Sequence, residues 1–477
     1  MYSVKFKQLS LSDIYDGCLD FVDKDKPRFL ALLEEHIQLS EYISLSFYQA
    51  FYKHFGRKRK FKLESFLYAL IIQRIFSIPT DALLIIFLNF SKEIREFCGF
   101  SKVPDASKFT RFKQDFSKHL QTLFDNLVDQ TEPICEQINS ELASYLVFDT
   151  SGVEAYVTEN NPKFINRLIK QLKSQYKGNS SVDPYKMAYG IMPSCASSNP
   201  NVKQLYINGH FCYVYKFGML TNGLGIVRNI SFFDEDFINA HPEIPIEKKS
   251  DSPDEDKSLS DSKALKPVLR DFFKTHTHFK PSTFIGDAAF DTNDSYNFLL
   301  KDCHFLKTVI PLNERGSKNL PEPGFNESGQ PLCPLDSSLP MKYEGKAPLR
   351  SGVVRDKWVC PKMKWKGSKR ITLCEHPCSD SPSGRMFYTY PEKDLRLYPG
   401  IIRDTPEWID IYKNRCVIEQ TIQHFKSNFG VANRKTTNAL TIKADLLLAG
   451  ITQLLTVILA DKLHKHELIR SLKPLLA

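Results

Sequence analysis

The chain has 477 residues, 42% hydrophobic and 25% charged, which excludes wholesale disorder and gives about three domains as the prior. Lys and Arg outnumber Asp and Glu by 64 to 55, and the net +9 permits a nucleic-acid partner without demanding one. Eleven scattered cysteines, an odd count, argue against a secreted disulfide scaffold and for a reduced cytosol. The opening MYSVKFKQLSLSDIYDG has acids where the apolar stretch of a signal peptide would lie, so none is expected.

Residues 1–140 read as helical. Pro27–Tyr48, Leu63–Ile78 and Lys108–Leu127 carry apolar residues at helical spacing. Leu63–Phe90 is broken by Gln73, Arg74 and Pro79, and Leu446–Ala460 is shorter than the roughly 20 residues a bilayer requires. Both are expected to be core helices, with no membrane partner. Ser107 is the expected N-cap of the helix that follows Pro104-Asp105-Ala106, with Phe109, Phe112, Phe116 and Leu120 on its buried face. Lys108, Arg111, Lys113 and Lys118 are then left outside.

From residue 141 the texture becomes α/β. Tyr145–Phe148 predicts a strand ending at Asp149. Phe211–Phe217 and Gly225–Phe233 predict a hairpin around Thr221-Asn222-Gly223, and Lys248–Asp261 a solvated acidic loop. A helix over Ala264–Thr275, a strand over Thr283–Ile285, a helix over Asp291–Lys301 capped by Asp291, and a strand in His304–Ile310 complete this part to residue 312. Residues 313–404, rich in Pro and Gly with short strand-like pieces, read as a β-rich insertion. In 405–477 helical periodicity returns at Trp408–Phe429 and Ile442–His464.

Two of these strands run into aspartate, Asp149 and Asp287. Ligand sites in open α/β sheets gather at the carboxyl ends of strands, and two close acids need a cation between them to stay ionised. A turn-forming role is the plainer reading of either acid alone. On one continuous helix, Tyr412, Arg415, Glu419 and Lys426 fall within about 60° of one another. Beside them Ile411, Ile418, Ile422, Phe425 and Phe429 form an apolar strip. An ordinary amphipathic helix with i,i+3 and i,i+4 charge pairs has the same geometry.

The run Tyr412-x2-Arg415-x3-Glu419-x6-Lys426 resembles the signature of one branch of the DDE transposases of bacterial insertion sequences, insertion sequence family four. Asp149 in VFDTSG and Asp287 in IGDAAFD sit where that family has its first two catalytic aspartates, Glu419 matches the third acid, and CGFSKVPDASKFTRF at 98–112 looks like the amino-terminal region of related enzymes. The resemblance implies a ribonuclease H-like catalytic core, interrupted by the insertion before its last catalytic helix. It implies metal-dependent cleavage and strand transfer at the ends of an insertion sequence. Asp149, Asp287 and Glu419 would hold two Mg²⁺ ions about 4 Å apart, with Mn²⁺ as a substitute. Tyr412, Arg415 and Lys426 would hold DNA near the element end, Arg415 by a bidentate phosphate contact. The partners implied are terminal inverted repeats and target DNA, bound by a homodimer in the bacterial cytoplasm at the nucleoid, with a hairpin intermediate as a family possibility. Two alternatives remain at this level: a nuclease on the same core that cuts without joining, and a non-catalytic DNA-binding descendant.

Weaker signals lie elsewhere. Arg57, Lys58, Arg59 and Lys60 form the densest basic run, suited to phosphate contacts or to a solvated helix start. Lys108, Arg111 and Lys113 would face DNA if their helix is part of a helix-turn-helix reader. Cys333, Cys360, Cys374 and Cys378, with His376 among them, suit a structural Zn²⁺ site, although the spacing is not that of paired knuckles and buried free thiols compete. The other cysteines read as core. His276 and His278 read as helix-end residues, and Trp358, Trp365 and Trp408 as candidates for stacking on an unpaired base.

Overall fold

The structure, a computed structural model, describes residues 28–53, 58–177, 182–193, 195–207, 210–244, 259–313, 324–326, 328–348, 354–391, 394–432, 435–472 and 475. Arg57 and residues 248–258 of the acidic stretch lie outside the described residues. The chain divides into two compact units: Met1–Ile134 with Phe425–Lys435 and Leu440–Ala477, and Cys135–His424 with Thr436–Ala439. The final long helix thus belongs with the amino-terminal helices, a different division from the four consecutive parts expected.

The first unit is helical. Leu63–Ile75 and Asp81–Phe90 are separate helices, the second capped by Thr80, whose Oγ1 accepts from Leu83 N at 3.1 Å. Phe66, Phe109 and Phe112 pack among Phe47, Phe51 and Phe116 in one aromatic cluster. Helix Ala439–Lys462 is long and apolar enough to cross a membrane by composition, yet it is buried on nearly every side. At its heart Asp445, fully buried, meets Arg74 Nη2 at 3.5 Å and Lys113 Nζ at 3.3 Å, and Lys113 also binds Asp81 at 2.8 Å.

That network corrects the expectation for Lys113, which is 1% exposed and does not face outward. Two carboxylates supply the compensation a buried ammonium requires. The helix also starts earlier than expected: it spans Ala106–Asp115 with Asp105 at the N-cap, and Ser107 Oγ hydrogen-bonds the Asp105 carboxylate instead of capping. It breaks at Phe116 before helix Ser117–Ile138.

The second unit is built on a seven-stranded sheet. In chain order its strands are β1 (Tyr145–Glu154), β2 (Cys195–Ala196), β3 (Asn199–Ile207), β4 (His210–Thr221), β5 (Val227–Phe232), β6 (Thr283–Ile285) and β7 (Lys307–Val309). The order is β2-β3-β4-β1-β6-β7, with β5 also on β4. β3 takes the first half of β4 and β5 the second, so across the middle the sheet reads β5-β4-β1-β6-β7. The first three run antiparallel, and β1, β6 and β7 are parallel. The β4–β5 turn closes as its sequence predicts, with Asn222 Oδ1 accepting from Leu224 N and Ile226 N. Helix Asp261–Thr275 carries the chain from β5 towards β6 and buries Ala264, Leu265, Val268, Leu269 and Phe272.

Gly286 follows β6 directly. A Cβ there would lie 2.9 Å from the Phe290 ring, which packs 5.3 Å from Phe148 of β1.

After β7 come short strands: β8 (Leu332–Cys333), β9 (Asp336–Pro340), β10 (Lys342–Pro348), β11 (Val354–Val359), β12 (Met363–Lys366), β13 (Lys369–Thr372) and β14 (Met386–Thr389). They form the sheet β10-β11-β14 and the hairpins β8–β9 and β12–β13. A small core of Leu312, Met341, Trp358, Leu397 and Tyr398 lies beneath. The segment's return is bonded to the main sheet. Thr308 N donates to Pro399 O at 2.8 Å, and Arg403 Nε to Ile310 O at 2.8 Å. Gly400 has φ +83°, and a Cβ there would stand 2.1 Å from Leu306 O, so only glycine fits.

Asp291 is not the helix cap its position suggests. Thr292 caps helix Asn293–Asn297, while Asp291, 8% exposed, binds Arg396 Nη2 at 2.7 Å, Tyr296 Oη at 2.9 Å and Asn313 N at 2.7 Å. A buried carboxylate is better compensated by a guanidinium than by one amide.

Candidate active site

Strand register brings the first two acids together. Val147 of β1 stands opposite Ile285 of β6 in the parallel ladder. Two residues further along each chain come Asp149 and Asp287, and residues two apart share a face. β1 does not end at Asp149 as its sequence suggests. It continues to Glu154 against the longer β4, while its pairing with β6 stops at Val147. Asp149 therefore sits where the parallel ladder gives out, its Oδ1 accepting from Thr150 N at 2.7 Å. Asp287 Oδ1 accepts from Ala289 N at 2.9 Å.

The third acid comes from the carboxyl-terminal helices. The expected continuous helix is broken: Pro406–Tyr412 is helical, Lys413–Arg415 is a 3₁₀ turn, and a second helix spans Cys416–Ser427. Asn414 explains the break, since its Nδ2 donates to Asp410 O and Ile411 O, both at 3.1 Å, competing with the backbone ladder. Ile418, Ile422 and Phe425 bury one side of the second helix, and Thr421 Oγ1 donates to Gly225 O at 3.0 Å. Glu419 lies in its first turn, where the positive helix end favours an anion.

Arg415 joins the three. Its Nη1 is 2.6 Å from Glu419 Oε1, and its Nη2 is 3.8 Å from Asp287 Oδ2 and 3.9 Å from Asp149 Oδ2. Burial raises the Asp149 carboxyl to about 7, with Asp287 and Asp261 adding to the rise and the Thr150 amide and Arg415 opposing it. Burial likewise raises Asp287, against the Ala289 amide and Arg415. For Arg415, burial pulls down, but the Glu419 bond and the Asp149 charge hold it above its usual value. Tyr412 stacks on Trp408 at 4.7 Å and feels the same charges; burial raises its phenol, and Asp287 and Glu419 add to the rise. Lys426 is 9% exposed.

Asp261 is the residue that sequence reasoning missed. It opens helix Asp261–Thr275, accepts from Thr150 Oγ1 at 2.6 Å, and pairs with Lys216 Nζ of β4 at 2.8 Å. Lys216 is buried and also donates to Leu259 O at 2.7 Å. Its sequence signal is an acid directly before a helical apolar pattern, masked by its place at the end of the acidic run Lys248–Asp261.

The remaining candidates scatter. Lys58, Lys60, Lys108 and Arg111 are exposed. Arg59 Nε donates to Phe51 O at 2.6 Å and its guanidinium covers the Phe51 ring at 4.3 Å. Trp358 and Trp408 are buried, against the stacking role considered for them, whereas Trp365 is exposed beneath Arg370. His276 is buried at the end of its helix. Cys416 is exposed, not core. Cys333, Cys360, Cys374 and Cys378 line one cavity.

Residues 18–115 match the family described as Transposase domain (DUF772), and residues 254–455 match the Transposase DDE domain. The chain is a DNA transposase that carries a DDE domain. Asp287 and Glu419 fall inside the matched DDE domain and Asp149 between the two matched regions. No curated protein sequence matches the chain. Among solved structures it is similar to a piggyBac transposase synaptic complex with hairpin DNA. The identity is 12% and the TM-score 0.37, over 94% of this chain and 78% of that one, a likeness too loose to bear on mechanism.

DDE transposases use divalent metal ions such as Mg²⁺. Among the described residues no three His, Cys, Asp or Glu side chains already stand in metal-holding geometry. The acids are spaced around a guanidinium instead of closing on a point. The donor set nonetheless fits: three carboxylates are hard oxygen ligands, and the cation now between them is a stand-in for the charge they require.

Proposed function

We propose that Asp149, Asp287 and Glu419 are the catalytic acids of this transposase, on a ribonuclease H-like core with a β-rich insertion, in the insertion-sequence branch marked by Tyr412, Arg415, Glu419 and Lys426. The observation that carries the reading is the single guanidinium reached by acids from three distant segments. The strand order β5-β4-β1-β6-β7, antiparallel then parallel, supports the core assignment.

These three carboxylates would hold Mg²⁺, with Mn²⁺ as a substitute, since all three are hard oxygen donors. Bound divalent ions supply activation of an oxygen nucleophile and stabilisation of the departing oxygen. Asp149 must give up its proton before it can serve as a ligand. Arg415, once released from the acids, offers its planar fork to a DNA phosphate. Tyr412, which ends the first helix, lies beside it as a hydroxyl donor, and Lys426 adds a charge on the second helix, the one that carries Glu419. In the helical unit Lys58, Lys60, Lys108 and Arg111 present cations to the DNA backbone, and Arg59 fixes their segment. The protein acts as a homodimer on paired terminal repeats in the cytoplasm, at the nucleoid.

The test incubates purified protein with a fragment carrying the element's terminal repeats, a target plasmid and Mg²⁺. Cut and joined products are expected, and neither from Asp287→Ala, which still binds the repeats. Cut ends without joined products would overturn strand transfer, and full activity of Asp287→Ala would overturn the site.

A further inference from the structure

The β-rich segment holds a second group of chemically competent side chains. Cys333 ends β8, Cys360 follows β11, and Cys374 and Cys378 follow β13. These four cysteines, from three separate places in the chain, line one cavity of about 240 Å³. Cys333-Pro334 and Cys360-Pro361 both open tight turns. Cys333 pairs with Asp336 across the β8–β9 turn, and Met363 N donates to Cys360 O at 3.0 Å. Cys374 Sγ lies 3.2 Å from His376 O, so the third and fourth thiols belong to one compact loop.

Packing alone holds this corner weakly. Its buried core is Val359, Cys360 and Met363. Two-stranded hairpins such as β8–β9 and β12–β13 are marginal by themselves, and a corner with so few buried side chains needs a staple. Gly384, at φ +76°, keeps space beside Cys360: a Cβ there would lie 2.8 Å from the Cys360 Cβ and 3.3 Å from its Sγ.

We propose that Cys333, Cys360, Cys374 and Cys378 form a structural zinc site that ties hairpins β8–β9 and β12–β13 together. Four thiolates are the donor set of closed, tetrahedral structural zinc. All four cysteines line the cavity, no three of them already stand in metal-holding geometry among the described residues, and the proposal requires rotation about Cα–Cβ to turn the sulfurs inward. The site is separate from the carboxylates of the sheet and does not rest on their assignment.

Elemental analysis of the full-length protein, purified untagged without added metal, tests the proposal. About one zinc per chain is expected, falling at least about fivefold in Cys360→Ser and in Cys378→Ser and unchanged in Cys98→Ser. Because a serine variant can misfold, cobalt is also exchanged into the wild-type protein. A sulfur-to-cobalt charge-transfer band with tetrahedral ligand-field absorption is expected. Less than about a tenth of a zinc per chain with no cobalt–thiolate band would overturn the proposal, as would a disulfide between any two of the four cysteines found by mass spectrometry.

Discussion

Arg415 Nη1 sits 2.6 Å from Glu419 Oε1, one helical turn away, while its Nη2 lies between the two strand aspartates. The arginine is therefore the internal counter-ion of the three acids. Removing it leaves three carboxylates facing one another. Arg415→Ala is expected to lower Tm in EDTA, to show a larger Tm rise on adding Mg²⁺ than wild type, and to cleave element ends at least about tenfold more slowly. Differential scanning with and without Mg²⁺ checks the first two. An Mg²⁺-induced shift no larger than wild type would contradict the counter-ion role.

The raised Asp149 carboxyl gives a pH dependence with a definite sign. Its folded value is about 7, above the unfolded value of an ordinary aspartate. Between those values the folded chain holds a proton that the unfolded chain has lost. Metal-free stability therefore falls as pH rises from about 4 to about 7. Tm in EDTA should decline across that window, and Asp149→Asn should flatten the decline. An Asn variant with the same slope would place the titration elsewhere.

Asp261 holds Thr150, the neighbour of Asp149, and neutralises buried Lys216. Asp261→Ala is expected to slow cleavage about 10- to 100-fold, as loss of an outer-shell partner does. It should also make metal-free stability less steeply pH-dependent, because one of the charges raising Asp149 is gone. Asp261→Asn, which still accepts from Thr150, should recover part of the rate. Rates from single-turnover cleavage and a Tm series decide between a positioning role and a merely structural one.

In the helical unit, Asp445→Ala removes the carboxylate beside buried Arg74, leaving it the neutral acceptors Phe429 O and Gln73 Oε1, and leaves Lys113 with Asp81. A cost of about 3–5 kcal/mol is expected in urea unfolding, because uncompensated buried charge is expensive. Lys108→Ala and Arg111→Ala should leave stability within about 0.5 kcal/mol. Each should instead reduce the salt dependence of DNA binding by about one counter-ion. Unchanged salt slopes would remove this helix from the DNA interface.

The second unit is legible where its strands are short apolar runs with sharp ends, and less so in β1 and β4, which run on past the apolar stretch. Thr283–Ile285 appears as read, and the Asn222 turn follows from its own side-chain bonds. The acids were found by their place after those runs, and their convergence follows from one register pair, Val147 and Ile285. What stayed hidden depended on partners far away in the chain. Nothing near Lys113 announces Asp445, so the amphipathic pattern of its helix alone puts that lysine on the wet side. Asp291 looked like a cap because Arg396, its real partner, lies in another segment. The kink at Asn414 was lost because helical periodicity persists through a single 3₁₀ turn.

The β-rich segment begins and ends against the same strand of the main sheet. Pro399, Gly400 and Arg403 lie along β7, and Arg396 grips the loop that follows β6. A shortened protein joined directly from residue 312 to 404 would keep every acid yet lose the clasp on Asp291, four positions from Asp287. A viable miniature would have to transplant the strip 394–403 and discard only the hairpins beyond it.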